Sequence, residues 1–219
     1  MHERPAFQRH LPQAIAALAA LLASAAIFAP APLESQSPES RTLPFMVQDG
    51  LSYAEQRRWG DAINVLEEAW ERDPSNPIVA EHLALAYLYE RIPPDAEALS
   101  KAEGLMRSSL AHGGQVSVFA QHVHGALRKV VGSDDHCSGR LVLSADGVYY
   151  STSLTEHSFS LGLEQLADIV PAKGKQPSSE GGLTLRTRDG KRHSIRTGTL
   201  SKSEAEIVLR LTREYLLGG

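Results

Sequence analysis

Apolar residues recur at helical spacing through the first half of the chain and at strand spacing through the second. Between residues 47 and 110 they follow a period of three to four, which Asp73-Pro74 interrupts. After Gly113-Gly114 the period falls to two. The change predicts an α+β fold, in which N-terminal helical hairpins precede an antiparallel β barrel or sandwich that a C-terminal helix closes.

Side chains of alternating size stand at regular offsets within residues 43–76. They are Gly50, Tyr53, Ala62, Leu66, Ala69 and Pro74. The pattern resembles the tetratricopeptide repeat, a helix–turn–helix unit of about 34 residues. A second unit begins at Pro77, where Ala84 and Tyr87 take the places of Gly50 and Tyr53. Residues 45–113 are therefore interpreted as two such units, with Asp61 able to cap the second helix and a longer loop around residues 92–95.

The resemblance implies a groove that binds a partner protein or peptide, because the first helix of each repeat lines a concave surface in that family. Carried over by register, the partner-binding residues are Leu51, Ala54, Glu55, Leu85, Leu88 and Tyr89. An apolar groove with one acid at its rim suits a peptide with hydrophobic anchors. The alternative is that Leu85 and Leu88 are simply core residues.

Alternating residues predict strands from position 116 onward. Ala145-Asp146-Gly147 indicates a hairpin turn, and a second hairpin at Asp189-Gly190 pairs Leu185 with Ile195. Residues 201–204 resemble a helix start, and an amphipathic segment follows. Six or seven strands and one helix resemble the pleckstrin-homology-like architecture over residues 115–219, which implies a module that binds peptides or phosphoinositide head groups.

Five basic residues belong to the second hairpin: Arg186, Arg188, Lys191, Arg192 and Arg196. The pleckstrin-homology-like resemblance allows them a head-group role. We favour a solvated outer face instead, because runs of charge usually serve that purpose and protect a ribbon from aggregation.

The N-terminal segment has the pattern of an export signal. Arg4 and Arg9 precede an uncharged run over residues 11–33 that is rich in Ala and Leu. Residues 1–31 are expected to be a signal peptide or, if uncleaved, a membrane anchor, and residues 32–44 a flexible linker. Either alternative places the rest outside the cytoplasm, in the periplasm or the extracellular space.

Charge and motifs narrow the function classes. The net charge is −4, and a mildly acidic chain with scattered cations lacks the footprint of a nucleic-acid-binding protein. The sequence has no phosphate-binding glycine loop, nucleophile elbow or HExxH helix, so we expect neither an enzyme nor a cofactor. A membrane partner is expected only if the N-terminal segment is retained.

One polar group offers an alternative chemistry. His122 and His124 share a strand face, and the single cysteine, Cys137, follows His136 on the next strand. Imidazole and thiolate ligate zinc, although no standard ligand spacing is present. A small-ligand or metal-binding module around His122, His124 and Cys137 is therefore the alternative to the leading hypothesis, an exported, non-enzymatic scaffold that binds a protein partner.

Overall fold

In the computed structural model, four helices are followed by seven strands and a final helix, and the structure describes residues 42–123, 136–172 and 181–218. The helices are α1 (Leu43–Glu55), α2 (Trp59–Arg72), α3 (Pro77–Glu90), α4 (Ala96–Ala111) and α5 (Lys202–Leu211), which continues as a π-helical turn over Thr212–Leu216. The predicted α+β class is confirmed.

The seven strands form one antiparallel sheet in the order β4-β3-β2-β1-β7-β6-β5. Their bounds are β1 (Gln115–Val123), β2 (His136–Ser144), β3 (Gly147–Thr152), β4 (Phe159–Gly162), β5 (Leu166–Pro171), β6 (Gly182–Thr187) and β7 (Arg192–Thr197). The outer strands β4 and β5 are both edges within the described part of the chain, so hydrogen bonds do not close the sheet into a barrel.

The sheet nevertheless curls strongly. The rings of Phe159 on β4 and His193 on β7 lie 4.1 Å apart, although three strands separate β4 from β7 in the sheet. Adjacent strands are about 4.8 Å apart, so a flat sheet would hold these two rings far from one another. The curled inner face buries Leu141, Leu183 and Ile195, and α5 packs on β5, β6 and β7.

Local capping explains where most of the helices begin. Asn76 accepts hydrogen bonds from the backbone N–H groups of Ile78 and Val79, and Asp95 accepts one from Ala98. The predicted helix start at residues 201–204 is confirmed, with Ser201 as the cap of α5. Asp61 is not a cap, because α2 already begins at Trp59; Asp61 lies in its first turn and pairs with Arg58.

The helices pack in sequence order, α1 on α2, α2 on α3 and α3 on α4. Gly50 and Tyr53 both lie in α1, and a methyl group on Gly50 would overlap the side chain of Leu66 in α2. The small residue therefore permits the close approach of these two helices. Strand β1 packs against α3, and the chain from Thr42 onward forms one compact unit.

None of the helices in the described ranges is both long enough and apolar enough to cross a membrane. The expected signal or anchor at residues 1–31 and nearly all of the expected linker at residues 32–44 lie outside those ranges.

Candidate functional site

A cleft of about 600 Å³ opens between the helical layer and the outer face of the sheet. The helical layer contributes the turn before α2 and the segment after α3, and the sheet contributes β1, β2 and the end of β3. The large apolar and cationic side chains that line the cleft are Arg57, Trp59, Tyr89, Ile92, Phe119 and Arg140. We refer to it below as the helix–sheet cleft.

Three aromatic rings form the floor of the cleft. Tyr89 and Phe119 meet edge to face, with ring centres 4.8 Å apart, and Trp59 lies 5.9 Å from Tyr89 and 6.1 Å from Phe119. Edge-to-face geometry is the favoured arrangement of aromatic pairs. The floor therefore joins residues from α2, α3 and β1 into one apolar surface.

Hydrogen bonds fix the position of Tyr89 in this floor. Its hydroxyl accepts a bond from the backbone N–H of Phe119 at 3.0 Å and donates one to Glu204 at 2.7 Å. Burial raises the pKa of Tyr89 well above its ordinary value, and the carboxylate of Glu204 adds to the effect. The phenol therefore stays protonated and serves as a structural donor.

Two guanidinium groups flank the floor. The Cζ atom of Arg57 lies 5.4 Å from the ring centre of Phe119, and that of Arg140 lies 5.6 Å from the same centre. Both distances are within the range of cation–π attraction. Among the described residues neither arginine has a carboxylate partner, and the buried Nε of Arg140 has no hydrogen-bond acceptor.

Arg57 adopts a backbone conformation that is unusual for an arginine. Its φ angle is +58°, in the left-handed region, where glycine normally ends a helix. The Arg58 N–H bonds to the carbonyl of Tyr53 at 2.9 Å and so closes the last turn of α1 around this residue. A glycine would satisfy that turn without strain, so the arginine is explained by its side chain rather than by the turn.

The structure places most of the expected groove residues in the core. Ala54, Leu85, Leu88 and Tyr89 are all buried, with Leu85 only 1% exposed. Strand β1 packs against α3 as well. The burial of Leu85 and Leu88 agrees with the alternative that they are core residues, and a partner-binding groove on these helices stays a prediction. Tyr89 alone among these four reaches the helix–sheet cleft.

The other two expected groove residues are accessible but lie elsewhere. Leu51 is half-buried and Glu55 is exposed on α1, and neither lines the cleft. Sequence reasoning missed Arg57, Trp59, Phe119 and Arg140. A signal was present, because α3 is apolar on every side, and such a helix is normally enclosed by other elements.

A second groove of about 430 Å³ lies between α2, α3 and α4. Tyr87 donates a hydrogen bond to Glu67 there, and Lys101 lies 5.0 Å from the Tyr87 ring centre. Burial, with the bond to Glu67, raises the pKa of Tyr87 to about 12. These polar groups already satisfy one another, so the groove is less suited to a ligand than the helix–sheet cleft.

The histidine and cysteine group forms part of the curled inner face. His122 pairs with Cys137 across β1 and β2, and its ring lies 5.7 Å from Tyr150 and 5.6 Å from Phe159. Cys137 is buried, and the Tyr150 hydroxyl donates to its carbonyl at 2.6 Å. His124 lies outside the described residues, and within them no three potential ligands gather around one point.

Comparisons with known proteins identify no family. No family model matches the chain, and no curated protein does. Among solved structures, the C-terminal domain of an unknown protein from Leishmania infantum has 13% identity and a TM-score of 0.37, and covers 46% of this chain and 81% of its own. The PH domain of human oxysterol binding protein-related protein 11 has 13% identity and a TM-score of 0.34. The match covers 48% of this chain and 86% of that domain.

Proposed function

We propose that this protein is a non-enzymatic interaction module that binds a segment of a partner polypeptide in the helix–sheet cleft. The observation that carries the proposal is the aromatic floor of Trp59, Tyr89 and Phe119, flanked by the guanidinium groups of Arg57 and Arg140. Trp, Tyr and Arg are the residues that contribute most often to the energetic centre of protein interfaces.

The shape and lining of the cleft support a peptide ligand. Its volume of about 600 Å³ is enough for a few side chains. Ile92, at its mouth, is 60% exposed, which leaves an apolar side chain available to a partner. Ser138 and Ser151 add exposed hydroxyl groups on the sheet side, which can bond to peptide groups of a bound segment.

The helical hairpins are proposed to act as a tetratricopeptide-like scaffold. The contact between Gly50 and Leu66 and the sequential packing of α1 to α4 support this reading. Two such units leave an end that further repeats would normally cover. Strand β1 contacts both α3 and α4, which supports a binding surface at the junction with the sheet rather than on the concave helical face.

The side chains that line the cleft are suited to binding. Among the described residues that line it there is no Asp, Glu, His, Cys or Lys. The one weak acid is Tyr89, and its raised pKa removes it from proton transfer near neutral pH. This set of side chains is suited to non-covalent binding of a ligand.

We further propose that the protein works outside the cytoplasm, in the periplasm or the extracellular space. The support is the sequence pattern of residues 1–31, a basic start and then an uncharged Ala- and Leu-rich run. Sequencing the N-terminus of the mature protein tests this. A mature chain that starts beyond residue 23 supports export with cleavage, and a chain found intact in the cytosolic fraction overturns it.

The cleft itself can be tested with tryptophan fluorescence, because the chain has only two tryptophans. Trp59 lies in the cleft and Trp70 lines the second groove. A Trp70→Phe protein therefore carries a single reporter in the cleft. Peptides selected from a random displayed library should change its emission in a saturable way.

A Trp59→Phe protein, which keeps only Trp70, is the matched control and should show no change with the same peptides. Replacing the exposed Ile92 by Ser should weaken binding without unfolding the protein. Peptides that bind while leaving the Trp59 emission unchanged, or a library that yields no binders, would overturn the proposal.

A further inference from the structure

We infer that the helix–sheet cleft recognises an acidic peptide segment, in which the carboxylate of an Asp or Glu side chain binds Arg57 and Arg140 while a neighbouring apolar side chain rests on the aromatic floor. The inference rests on the proposed function, since it specifies the ligand of the same cleft. It depends on charge, on the geometry of the two guanidinium groups and on the apolar surface beside them.

The first observation is that neither Arg57 nor Arg140 forms an ion pair with an acid in the part of the chain that the structure describes. Most other arginines in the helical layer and α5 pair with a carboxylate, as in Arg58–Asp61, Arg72–Glu68, Arg107–Glu214 and Arg210–Glu103. The chain has 26 acidic residues against 22 Lys and Arg, so acids are plentiful. Within the described ranges none of them pairs with Arg57 or Arg140, and a cleft with two cations and no acid attracts an anion.

The second observation is how these arginines differ from those of the β6–β7 hairpin. Arg188 and Arg192 are exposed on the β6–β7 hairpin, where water and salt screen their charge. Arg57 and Arg140 instead stand on the ring of Phe119 at the edge of a concave, partly apolar site. Charge–charge attraction is stronger for Arg140, which is half-buried, because less water competes for its guanidinium group, whereas Arg57 is exposed and adds its charge from the rim.

The third observation concerns geometry. A guanidinium that stacks on an aromatic face keeps its N–H groups in its own plane, where they can bind a carboxylate in bidentate fashion. Both guanidinium groups lie near one ring, at 5.4 and 5.6 Å from its centre, so they concentrate positive charge at one place in the cleft where a carboxylate can bind. The Nε of Arg140 also lacks an acceptor within the described chain, as expected of a cation whose partner comes from another molecule.

The apolar surroundings define the residue next to the acid. Trp59 is half-buried and Ile92 is 60% exposed, so both offer surface to a ligand. Burying an aliphatic or aromatic side chain there removes apolar surface from water and so favours binding. The preferred segment therefore has an apolar residue beside the acid, rather than a run of acids alone.

A carboxylate fits this cleft better than a phosphate group. Phosphate sites usually combine several cations with a glycine-rich loop of backbone N–H groups. The described lining has two arginines and no lysine, and its floor is aromatic. A dianion has a larger hydration cost than a carboxylate in a partly apolar site, and the described lining offers neither a lysine nor a glycine-rich loop to offset that cost.

The test uses three synthetic peptide libraries that are acetylated and amidated at their ends and differ at one position. That central position is Glu, Gln or phosphoserine, and the flanking positions are mixed apolar and aromatic residues. Binding to the Trp70→Phe protein is read from Trp59 emission. We expect the Glu library to bind about tenfold more tightly than the Gln library, and the difference to shrink as salt is added.

Three variants assign the effect. Arg57→Gln and Arg140→Gln should each weaken binding of the Glu library more than binding of the Gln library, so that the preference for Glu over Gln falls severalfold. Arg58→Gln is the matched control, because Arg58 is adjacent to Arg57 but pairs with Asp61 and lies over Tyr53. It should leave both affinities as they are. Arg57 is exposed, so its replacement does not threaten the fold.

The outcomes separate the inference from the function that it deepens. Equal binding of the Glu and Gln libraries would overturn the acidic ligand and leave the peptide cleft intact. Binding of neither would overturn the cleft itself. Tighter binding of the phosphoserine library, or binding of phosphatidylserine vesicles that depends on Arg57 and Arg140, would replace the acidic peptide by a phosphopeptide or a membrane surface.

Discussion

The hydroxyl of Tyr89 donates a hydrogen bond to Glu204 Oε1 over 2.7 Å, and this bond joins α3 to the first turn of α5. Glu204 is only 1% exposed, and its other oxygen accepts bonds from the backbone N–H and the hydroxyl of Thr199. Tyr89 also forms part of the cleft floor. Its hydroxyl therefore links the helical layer, the sheet and the C-terminal helix by hydrogen bonds next to the proposed binding site.

Removing the Tyr89 hydroxyl should weaken the whole fold. In a Tyr89→Phe protein the Phe119 N–H and one oxygen of Glu204 both lose a partner inside the core. We expect the free energy of unfolding to fall by roughly 1–3 kcal/mol, measured by urea denaturation. Tyr215→Phe is the control, because Tyr215 is 39% exposed and should change stability by no more than about 0.5 kcal/mol. If both variants lost the same small amount of unfolding free energy, the buried hydrogen bond would not contribute to stability as stated.

Glu204 should make the protein less stable as pH rises. Burial raises its pKa above the ordinary value of 4.5, despite the hydrogen bonds from Thr199 and Tyr89 that oppose the shift. The unfolded chain then releases this proton at a lower pH than the folded chain does. The stability of the native protein, relative to Glu204→Gln, should therefore decline from about pH 4 upward until the raised pKa is passed. Urea titrations of both proteins across this range measure it; a constant difference would contradict the shift.

Glu103 should affect the pH dependence of stability in the opposite direction, so that it stabilises the protein more as the pH rises. Arg210 and Arg107 donate hydrogen bonds to it, at 2.6–3.3 Å, and hold its pKa below the ordinary value of 4.5, with Arg210 as the larger cause. Its contribution is present above that ordinary value and is lost as pH falls through the lowered pKa. The native protein should therefore exceed Glu103→Gln in stability near neutral pH, and thermal unfolding should show the two converging in acid. Convergence on raising the pH instead would refute this assignment.

Replacing two helical glycines by alanine should change the stability of the protein in opposite directions. A Gly50→Ala methyl group would overlap the fully buried Leu66, so we expect a loss of roughly 1–3 kcal/mol. Nothing lies within 4 Å of the same position at Gly104, in the middle of α4, so Gly104→Ala should gain roughly 0.5–1 kcal/mol. Chemical denaturation of both variants decides this. If both stabilised the protein, the close α1–α2 contact would be absent in solution.

In the β half, the sequence correctly predicted which side chains point inward, but it did not correctly predict which residues pair across the second hairpin. The hairpin at Ala145–Gly147 is present, and Leu183, Leu185 and Ile195 all point inward, as expected. The partner of Ile195, however, is Leu183 and not Leu185. A shift of two residues leaves every side chain on its own face, so alternation cannot detect it. The turn decides the offset, through a hydrogen bond from the Thr187 N–H to the Lys191 carbonyl.

Periodicity by itself determined which segments fold as helices and strands and which of their side chains avoid water. It could not determine what excludes that water. The sequence pattern of Leu85 and Leu88 suits either a groove or a core, and in the structure both side chains are buried on a helix that contacts α2, α4 and β1. Only the tertiary structure brings Arg57, Phe119 and Arg140 into one cleft. The hydrophobic effect has no direction, so a sequence marks the surfaces that will be buried and leaves the choice of the covering element to the packing of the whole chain.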